Sequence, residues 1–180
     1  MYSPVLSLIA SFIAMTCVAL AYFVKKKIYY LLWELLCIIF LVVSYFFDLQ
    51  FFAMIGLAIA LGRTLTFFLF ERSGKKAPLY WSFIFAGLTT VSFFVVNYWV
   101  TKTGRPIDIL CLISLIAYAF IFRIRNLKAV RFLMIIPTVL SILYNVLASS
   151  PIFATLVYVI ELSANVVSIF KYHVLPKYKN

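Results

Sequence analysis

Residues 4–46 read PVLSLIASFIAMTCVALAYFVKKKIYYLLWELLCIIFLVVSYF. Two apolar runs, 4–24 and 28–46, flank three consecutive lysines, and each run is about 20 residues long. A helix of roughly 20 apolar residues spans the hydrocarbon core of a bilayer, which is about 30 Å thick. The stretch therefore predicts two transmembrane helices joined by a short basic loop.

The same pattern continues along the chain. Further apolar runs occupy residues 49–70, 79–100, 107–124, 129–148 and 152–171. Lipid offers the backbone no hydrogen-bond partners, so runs of this length must be helices, and the ten-residue alternation of barrel strands is missing from the sequence. We expect an all-α integral membrane protein with seven transmembrane helices.

The composition supports lipid as the solvent. The chain of 180 residues is 66% hydrophobic and 12% charged, with a mean hydropathy of +1.12. Soluble domains are about half apolar and a quarter charged, so this composition cannot build a water-exposed surface. Seven spans use nearly the whole length, and we therefore expect a single membrane domain over residues 1–180.

The basic residues predict the orientation. The net charge is +11, but Lys and Arg lie in short clusters at the ends of apolar runs, which argues against a nucleic-acid partner. With the N terminus outside and the C terminus in the cytoplasm, 13 of the 16 Lys and Arg residues fall on the cytoplasmic side, as the positive-inside rule requires. They are Lys25, Lys26, Lys27, Arg72, Lys75, Lys76, Arg123, Arg125, Lys128, Arg131, Lys171, Lys177 and Lys179. Lys102 and Arg105 fall outside, and Arg63 lies within a span.

A weak internal repeat predicts how the spans are arranged. Sliding the chain by about 102 residues places the third span over the seventh, with Arg63 over Asn165. Residues 4–70 and 107–171 would then form two parallel three-helix bundles, and residues 79–100 would be the linker helix between them. We predict this 3+1+3 arrangement, with the N terminus outside.

Charged and amide side chains inside the spans are the candidate solute-binding residues. Arg63 lies in the third span, Asn145 deep in the sixth, and Glu161 near the middle of the seventh, with Asn165 one turn further on. A charge at the bilayer centre costs about 3 kcal/mol on insertion scales, so it normally faces protein or a water-filled cavity. The repeat predicts that Arg63 and Glu161 are partners across a central cavity, with Asn165 beside them.

Two interpretations of these residues stay open. Arg63 and Glu161 can simply neutralise each other while Asn145 and Asn165 join helices by hydrogen bonds. Alternatively, all four residues line a solute pathway, because a buried ion pair is seldom more stabilising than apolar packing. We favour the pathway, and a cavity that reaches Arg63 would separate the two interpretations.

Other intramembrane positions have more ordinary explanations. Pro137 interrupts the sixth helix and is a candidate hinge, while Glu34 is expected to have a structural role or to extend toward the membrane surface. Gly56 and Gly62 are expected to allow close helix packing. The three cysteines lack any metal-ligand spacing, and no nucleotide-binding loop or hydrolase set is present in the sequence, so we expect no cofactor, no metal and no enzyme activity.

Several short segments resemble the YgjV-type bacterial inner-membrane proteins. They are Leu61-Gly62-Arg63-Thr64-Leu65, Asn126-Leu127-Lys128-Ala129-Val130-Arg131, Tyr144-Asn145, and Glu161 with Asn165. That family is similar in architecture to the SWEET, PQ-loop and PnuC transporters. The resemblance implies a plasma-membrane location and a solute site between two bundles, with Arg63, Asn165 and Glu161 facing it.

The chain also departs from those transporters. It has no Pro-Gln pair, and Trp33, Trp81 and Trp99 are scattered, so neither sugar nor vitamin-precursor specificity carries over. We expect a transporter or facilitator of a small polar or anionic solute. The alternative is a non-transporting membrane interaction protein. Two bundles in one chain make a monomer sufficient, and a homo-oligomer stays open.

Overall fold

The structure, a computed structural model, describes residues 4–47, 51–100, 106–147 and 152–174. Within these residues the chain forms seven α-helices, and the ends of each predicted apolar run agree within about three residues once the π-helical turn that continues the fourth helix is included. The helices are α1 (Pro4–Phe23), α2 (Lys27–Phe47), α3 (Phe51–Arg72), α4 (Leu79–Phe94), α5 (Asp108–Ile121), α6 (Leu127–Leu147) and α7 (Ile152–Ile169). Turns of π-helix follow α4 over Val95–Val100 and α7 over Phe170–Val174.

Five described helical segments are long and apolar enough to cross a membrane. They are Val5–Phe23, Lys27–Phe47, Leu79–Trp99, Leu127–Leu147 and Thr155–Tyr172. The apolar helix α5 is shorter, and α3 contains the charged residues Arg63, Glu71 and Arg72. The described residues contain no strand, and the protein is an all-helical membrane protein.

Helices pack against their neighbours in the chain, and α7 returns to pack against α1. The closest packing joins α1 to α2, whereas α3 and α4 pack least among consecutive helices. Large apolar side chains such as Phe12, Val91 and Trp99 face outward, with Trp99 83% exposed. An outer surface of this kind is stable in lipid and would aggregate in water.

Loops at one end of the helices are held together by basic side chains. Lys27 Nζ lies 3.4 Å from Glu71 Oε2, which joins the start of α2 to the end of α3. Arg123 Nε donates to the Ala77 carbonyl at 3.0 Å, and Arg125 donates to the Gly74 carbonyl at 3.3 Å. We call this end of the helix bundle the basic end; it comprises loops 24–26, 73–78 and 122–126. Lys102, Arg105, Lys177 and Lys179 lie outside the described residues.

The end of α1 is capped by side chains from the other half of the chain. Arg131 donates to the carbonyls of Tyr22 at 3.0 Å and Val24 at 2.6 Å, and Tyr172 donates to the Phe23 carbonyl at 2.6 Å. The last carbonyls of a helix lack partners within that helix and carry partial negative charge, so a guanidinium is favourable there. Arg131, expected as a loop charge, is instead buried in α6 and helps join α1 to α6 and α7.

Candidate functional site

A cavity of about 140 Å³ lies among α3, α4 and α5 and reaches Arg63. Its α3 wall has residues spaced three or four apart, which is the spacing of one helix face. Its α4 wall contains hydroxyl groups and an amide. The lining residues are Gly56, Ile59, Ala60 and Arg63 of α3, Thr89, Ser92 and Phe93 of α4, Val96 and Asn97 of the π-helical turn, and Leu115 of α5.

Small residues on α3 help to keep this cavity open. A Cβ built on Gly56 would meet no atom within 4 Å, whereas one on Gly62 would lie 3.8 Å from the Phe85 ring. The expectation that Gly56 allows close packing is therefore wrong, because no neighbouring side chain fills the space beside it. Gly56 and Ala60 instead face the cavity across the loosest of the consecutive helix contacts.

The wall formed by α4 changes its helical geometry beside the cavity. From Val95 to Val100 the helix is π-helical, and Val96 and Asn97 of this segment line the cavity. A π-helical turn is wider than an α-helical turn, is rare, and occurs frequently at functional sites. The change of geometry therefore marks this part of α4 as a candidate binding wall.

Arg63 is buried and forms no salt bridge with a described residue, and Glu34 is the carboxyl group close enough to interact with it electrostatically. The side chain is 6% exposed, and Nη1 donates to the Leu115 carbonyl at 3.3 Å. The guanidinium carbon lies 5.5 Å from the ring centroid of Tyr118 and 5.0 Å from that of Phe122. Nε has no hydrogen-bond partner, and no described carboxylate forms a salt bridge with the guanidinium. A cation in this setting is well placed to attract an anion.

Glu161 lies in a separate cluster of hydroxyl groups. Its Oε1 accepts a hydrogen bond from Tyr22 at 2.8 Å, and the hydroxyl oxygens of Thr138 and Tyr118 lie 3.2 and 3.5 Å away. These contacts connect α7 to α1, α6 and α5. The prediction that Glu161 and Arg63 are partners across one cavity is wrong: Glu161 does not line the cavity at Arg63, and no described salt bridge joins the two, because α7 packs against α1 and α6 while Arg63 of α3 reaches α5. Tyr118 contacts both residues.

The two asparagines do not line the cavity that reaches Arg63. Asn165 is fully buried, and its Nδ2 donates to the Arg131 carbonyl at 2.8 Å, which joins α7 to α6. Asn145 is also buried, at the end of α6 away from the basic end. Of the four predicted binding residues, the structure therefore places only Arg63 at this cavity.

Pro137 and Glu34 are both buried in the helix bundle. The Pro137 carbonyl accepts a hydrogen bond from Ser114 Oγ at 2.8 Å, so bending of α6 at this turn would involve α5 as well. The predicted hinge stays a prediction. Glu34 is 8% exposed, and its Oε1 has no hydrogen-bond partner among the described residues. Its carboxyl group therefore does not extend to the membrane surface.

Sequence reasoning overlooked the polar wall of α4 and the tyrosines around Glu161. Thr89, Ser92 and Val96 have helical spacing, and Asn97 is an amide within an apolar run, so their common face could have been found. Tyr22 and Tyr118 gave no comparable signal, because the chain has 12 tyrosines and their spacing does not distinguish buried partners from others.

A family comparison agrees with the helical membrane fold. The model of the Imp-YgjV family, described as a bacterial inner membrane protein, matches residues 5–175. No curated protein and no solved structure matches the chain. The match extends over nearly the whole sequence, including every helix that lines the cavity.

Proposed function

The chain belongs to the Imp-YgjV family of bacterial inner membrane proteins, and we propose that it is a transporter or facilitator of a small anionic solute. The observation that carries this proposal is the cavity that reaches Arg63, a buried guanidinium that forms no salt bridge with a described residue. Burying a charge is unfavourable unless a partner compensates for it. A solute anion would supply that compensation.

The chemistry of Arg63 favours a carboxylate or phosphate group. A guanidinium has five N–H donors in a planar fork that fits such groups through two parallel hydrogen bonds. One donor contacts the Leu115 carbonyl, and the ring faces of Tyr118 and Phe122 accept no conventional hydrogen bond. Donors therefore remain for a ligand.

The size of the cavity favours a small solute. Pockets for drug-sized ligands have volumes of about 300 to 1,000 Å³. The cavity of about 140 Å³ corresponds to roughly five water molecules. An organic acid or inorganic anion of a few heavy atoms fits this space, with the hydroxyl groups of Thr89 and Ser92 available to orient it.

For the membrane arrangement we propose seven crossings in a SWEET-like 3+1+3 order, with the N terminus outside and the C terminus in the cytoplasm. Helices α1–α3 and α5–α7 would form the two units, and α4 would connect them. This is supported by the packing of α4 against α3 and α5 and by the collection of basic loops at one end. The Arg63 cavity then lies where both units meet the linker.

Movement along the contact between α3 and α4 would expose the cavity to alternate sides of the membrane. Rocking of helical units around a central site is the common mechanism of transporters with internal repeats. In this mechanism Arg63 contacts the solute, whereas Glu161 joins α7 to α1 and α6. Asn165 joins α7 to α6, and neither Asn145 nor Asn165 touches the solute.

The proposal is tested by the response of the purified protein to anions. Sodium acetate, succinate and phosphate are added at constant ionic strength while thermal unfolding is recorded by tryptophan fluorescence. An anion at 100 times its dissociation constant adds about 2.7 kcal/mol to the free energy of unfolding. We expect Arg63→Gln to abolish the wild-type response to acetate and succinate, and Arg72→Gln, at an exposed position of the same helix, to retain it.

A transport assay completes the test. The anion that stabilises the wild type is supplied in labelled form to proteoliposomes, and uptake is compared for the wild type, Arg63→Gln and Arg72→Gln. Binding without uptake, or a stabilisation by acetate or succinate that Arg63→Gln shares with the wild type, would favour a membrane interaction protein. Arg63→Lys provides a folded comparison if Arg63→Gln is unstable, because it keeps the charge and loses the planar fork.

A further inference from the structure

A second and larger cavity of about 610 Å³ opens at the basic end. Its wall is formed by the loop between α1 and α2, the loop between α5 and α6, and the adjoining first turns of α2 and α6. The lining residues are Lys25, Lys26, Lys27, Ile28, Glu71, Arg125, Asn126, Leu127, Lys128 and Arg131. None of them lines the smaller cavity at Arg63.

The charge of this cavity is strongly unbalanced. Six of its ten lining residues are Lys or Arg, and one, Glu71, is acidic. Glu71 already forms the ion pair with Lys27. Like charges in one concave surface repel one another and reinforce each other's field, so they attract anions more strongly than scattered charges do.

Helix geometry adds to the positive potential. Helices α2 and α6 both begin at residues that line the cavity, and the N-terminal end of a helix carries partial positive charge. Asn126 Oδ1 accepts a hydrogen bond from the Lys128 amide at 3.0 Å and satisfies one of the first amides of α6. The helix ends therefore strengthen a site that the basic side chains already define.

Membrane topology alone does not explain this convergence. Arg72, Lys75 and Lys76 lie at the same end, are exposed and do not line the cavity. They satisfy the positive-inside rule as well as the cavity residues do, so that rule does not require basic residues to line one cavity. Arg131 comes from the body of α6, is 2% exposed, and is held by the carbonyls of Tyr22 and Val24. Its position gives the cavity a fixed, buried cation beside the flexible lysines.

We propose that this basic cavity is a binding site for a phosphate-bearing ligand. Its volume of about 610 Å³ lies within the range of about 300 to 1,000 Å³ that is typical of small-molecule sites. Clustered Lys and Arg are the groups that recognise phosphate, by point charge and by bidentate hydrogen bonds respectively. The phosphate belongs either to a soluble phosphorylated molecule or to a lipid headgroup. This site does not depend on transport through the Arg63 cavity.

Calorimetric titration of the full-length protein in a neutral detergent tests the proposal. The probes are sodium pyrophosphate and dioctanoyl phosphatidylglycerol, with dioctanoyl phosphatidylcholine as a zwitterionic control, all at one ionic strength. We expect saturable binding of at least one of the two anionic probes. Tighter binding of pyrophosphate identifies a soluble ligand, whereas tighter binding of phosphatidylglycerol identifies a lipid headgroup.

Two double variants with the same change of charge separate a defined site from general attraction. Lys26→Gln with Lys128→Gln removes two exposed cations from the cavity, and Lys75→Gln with Lys76→Gln removes two exposed cations beside it. We expect the first pair to weaken binding by about tenfold or more and the second pair by less than about twofold. Equal losses of affinity in the two double variants, or no saturable binding of either anionic probe to the wild type, would overturn the proposal.

Discussion

Arg63 and Tyr118 form a cation–π contact in which the guanidinium carbon lies 5.5 Å from the ring centroid. The hydroxyl oxygen of the same tyrosine lies 3.5 Å from Glu161 Oε1. Tyr118 is thus a neutral group between a buried cation and a buried carboxyl group. No described salt bridge joins Arg63 to Glu161, so Glu161 does not take the place that a solute anion would have at the guanidinium.

We expect Arg63→Ala and Glu161→Ala to be nearly additive in their effects on thermal stability. Removing one member of a direct buried ion pair costs about 3 to 5 kcal/mol, and removing the second then costs much less. Because no described salt bridge joins the two residues and they share only the contact with Tyr118, their coupling free energy should be about 1 kcal/mol or less. A double variant that is more stable than either single variant would instead indicate the direct pair that the sequence suggested.

Tyr22→Phe should destabilise the protein more than Tyr118→Phe. The Tyr22 hydroxyl lies 2.8 Å from Glu161 Oε1, whereas the Tyr118 hydroxyl lies at 3.5 Å, where a hydrogen bond is weak. Loss of the shorter bond leaves a buried acceptor with fewer partners, at a cost of about 1 to 3 kcal/mol. Thermal unfolding of both variants in one detergent measures the difference, and the opposite order would show that Tyr22 does not anchor Glu161.

Asn165→Ala should lower the melting temperature without changing the response to anions. The side chain is fully buried, and its amide bonds the Arg131 carbonyl at 2.8 Å. Interhelical hydrogen bonds in membrane proteins contribute about 0.6 to 2 kcal/mol. Ser163→Ala is the control, because this exposed hydroxyl bonds only the backbone of its own helix at Val159. If Asn165→Ala instead loses the anion response at unchanged stability, Asn165 binds the solute and the helix-joining role is wrong.

Gly56→Leu should block the anion response while leaving the protein folded. A side chain at Gly56 meets no atom within 4 Å of its Cβ and would occupy the cavity beside Arg63. Gly87→Leu is the matched control, since Gly87 also has open space around its Cβ, lies on the exposed side of α4, and does not line the cavity. The comparison uses the acetate and succinate titrations. Equal responses in the two variants would place anion binding elsewhere.

Ser73→Cys should be protected from an impermeant maleimide in intact cells and should react once the inner membrane is permeabilised. Ser73 is exposed at the basic end, which the positive-inside rule assigns to the cytoplasm. The background lacks Cys17, Cys37 and Cys111, so the label reports a single position. Labelling of intact cells would reverse the proposed orientation.

The sequence determined the helices of this protein. Seven apolar runs predicted seven helices to within about three residues at each end, the fourth counted with its π-helical turn, because length and hydrophobicity alone fix a helix that must satisfy its own backbone in lipid. Its intramembrane charges also identified Arg63 as a candidate binding residue. This residue is conspicuous because a lone cation in an apolar run has no local explanation.

Only the tertiary structure decided which side chains meet. Apolar helices of similar composition can pack in many orders, so nothing in the sequence placed Tyr118 between Arg63 and Glu161 or joined Asn165 to α6. The same holds for the cavity at Gly56, where a glycine that predicts close packing instead faces open space. Such outcomes depend on the shapes of facing helices, whereas insertion of each helix into the membrane depends mainly on its own sequence.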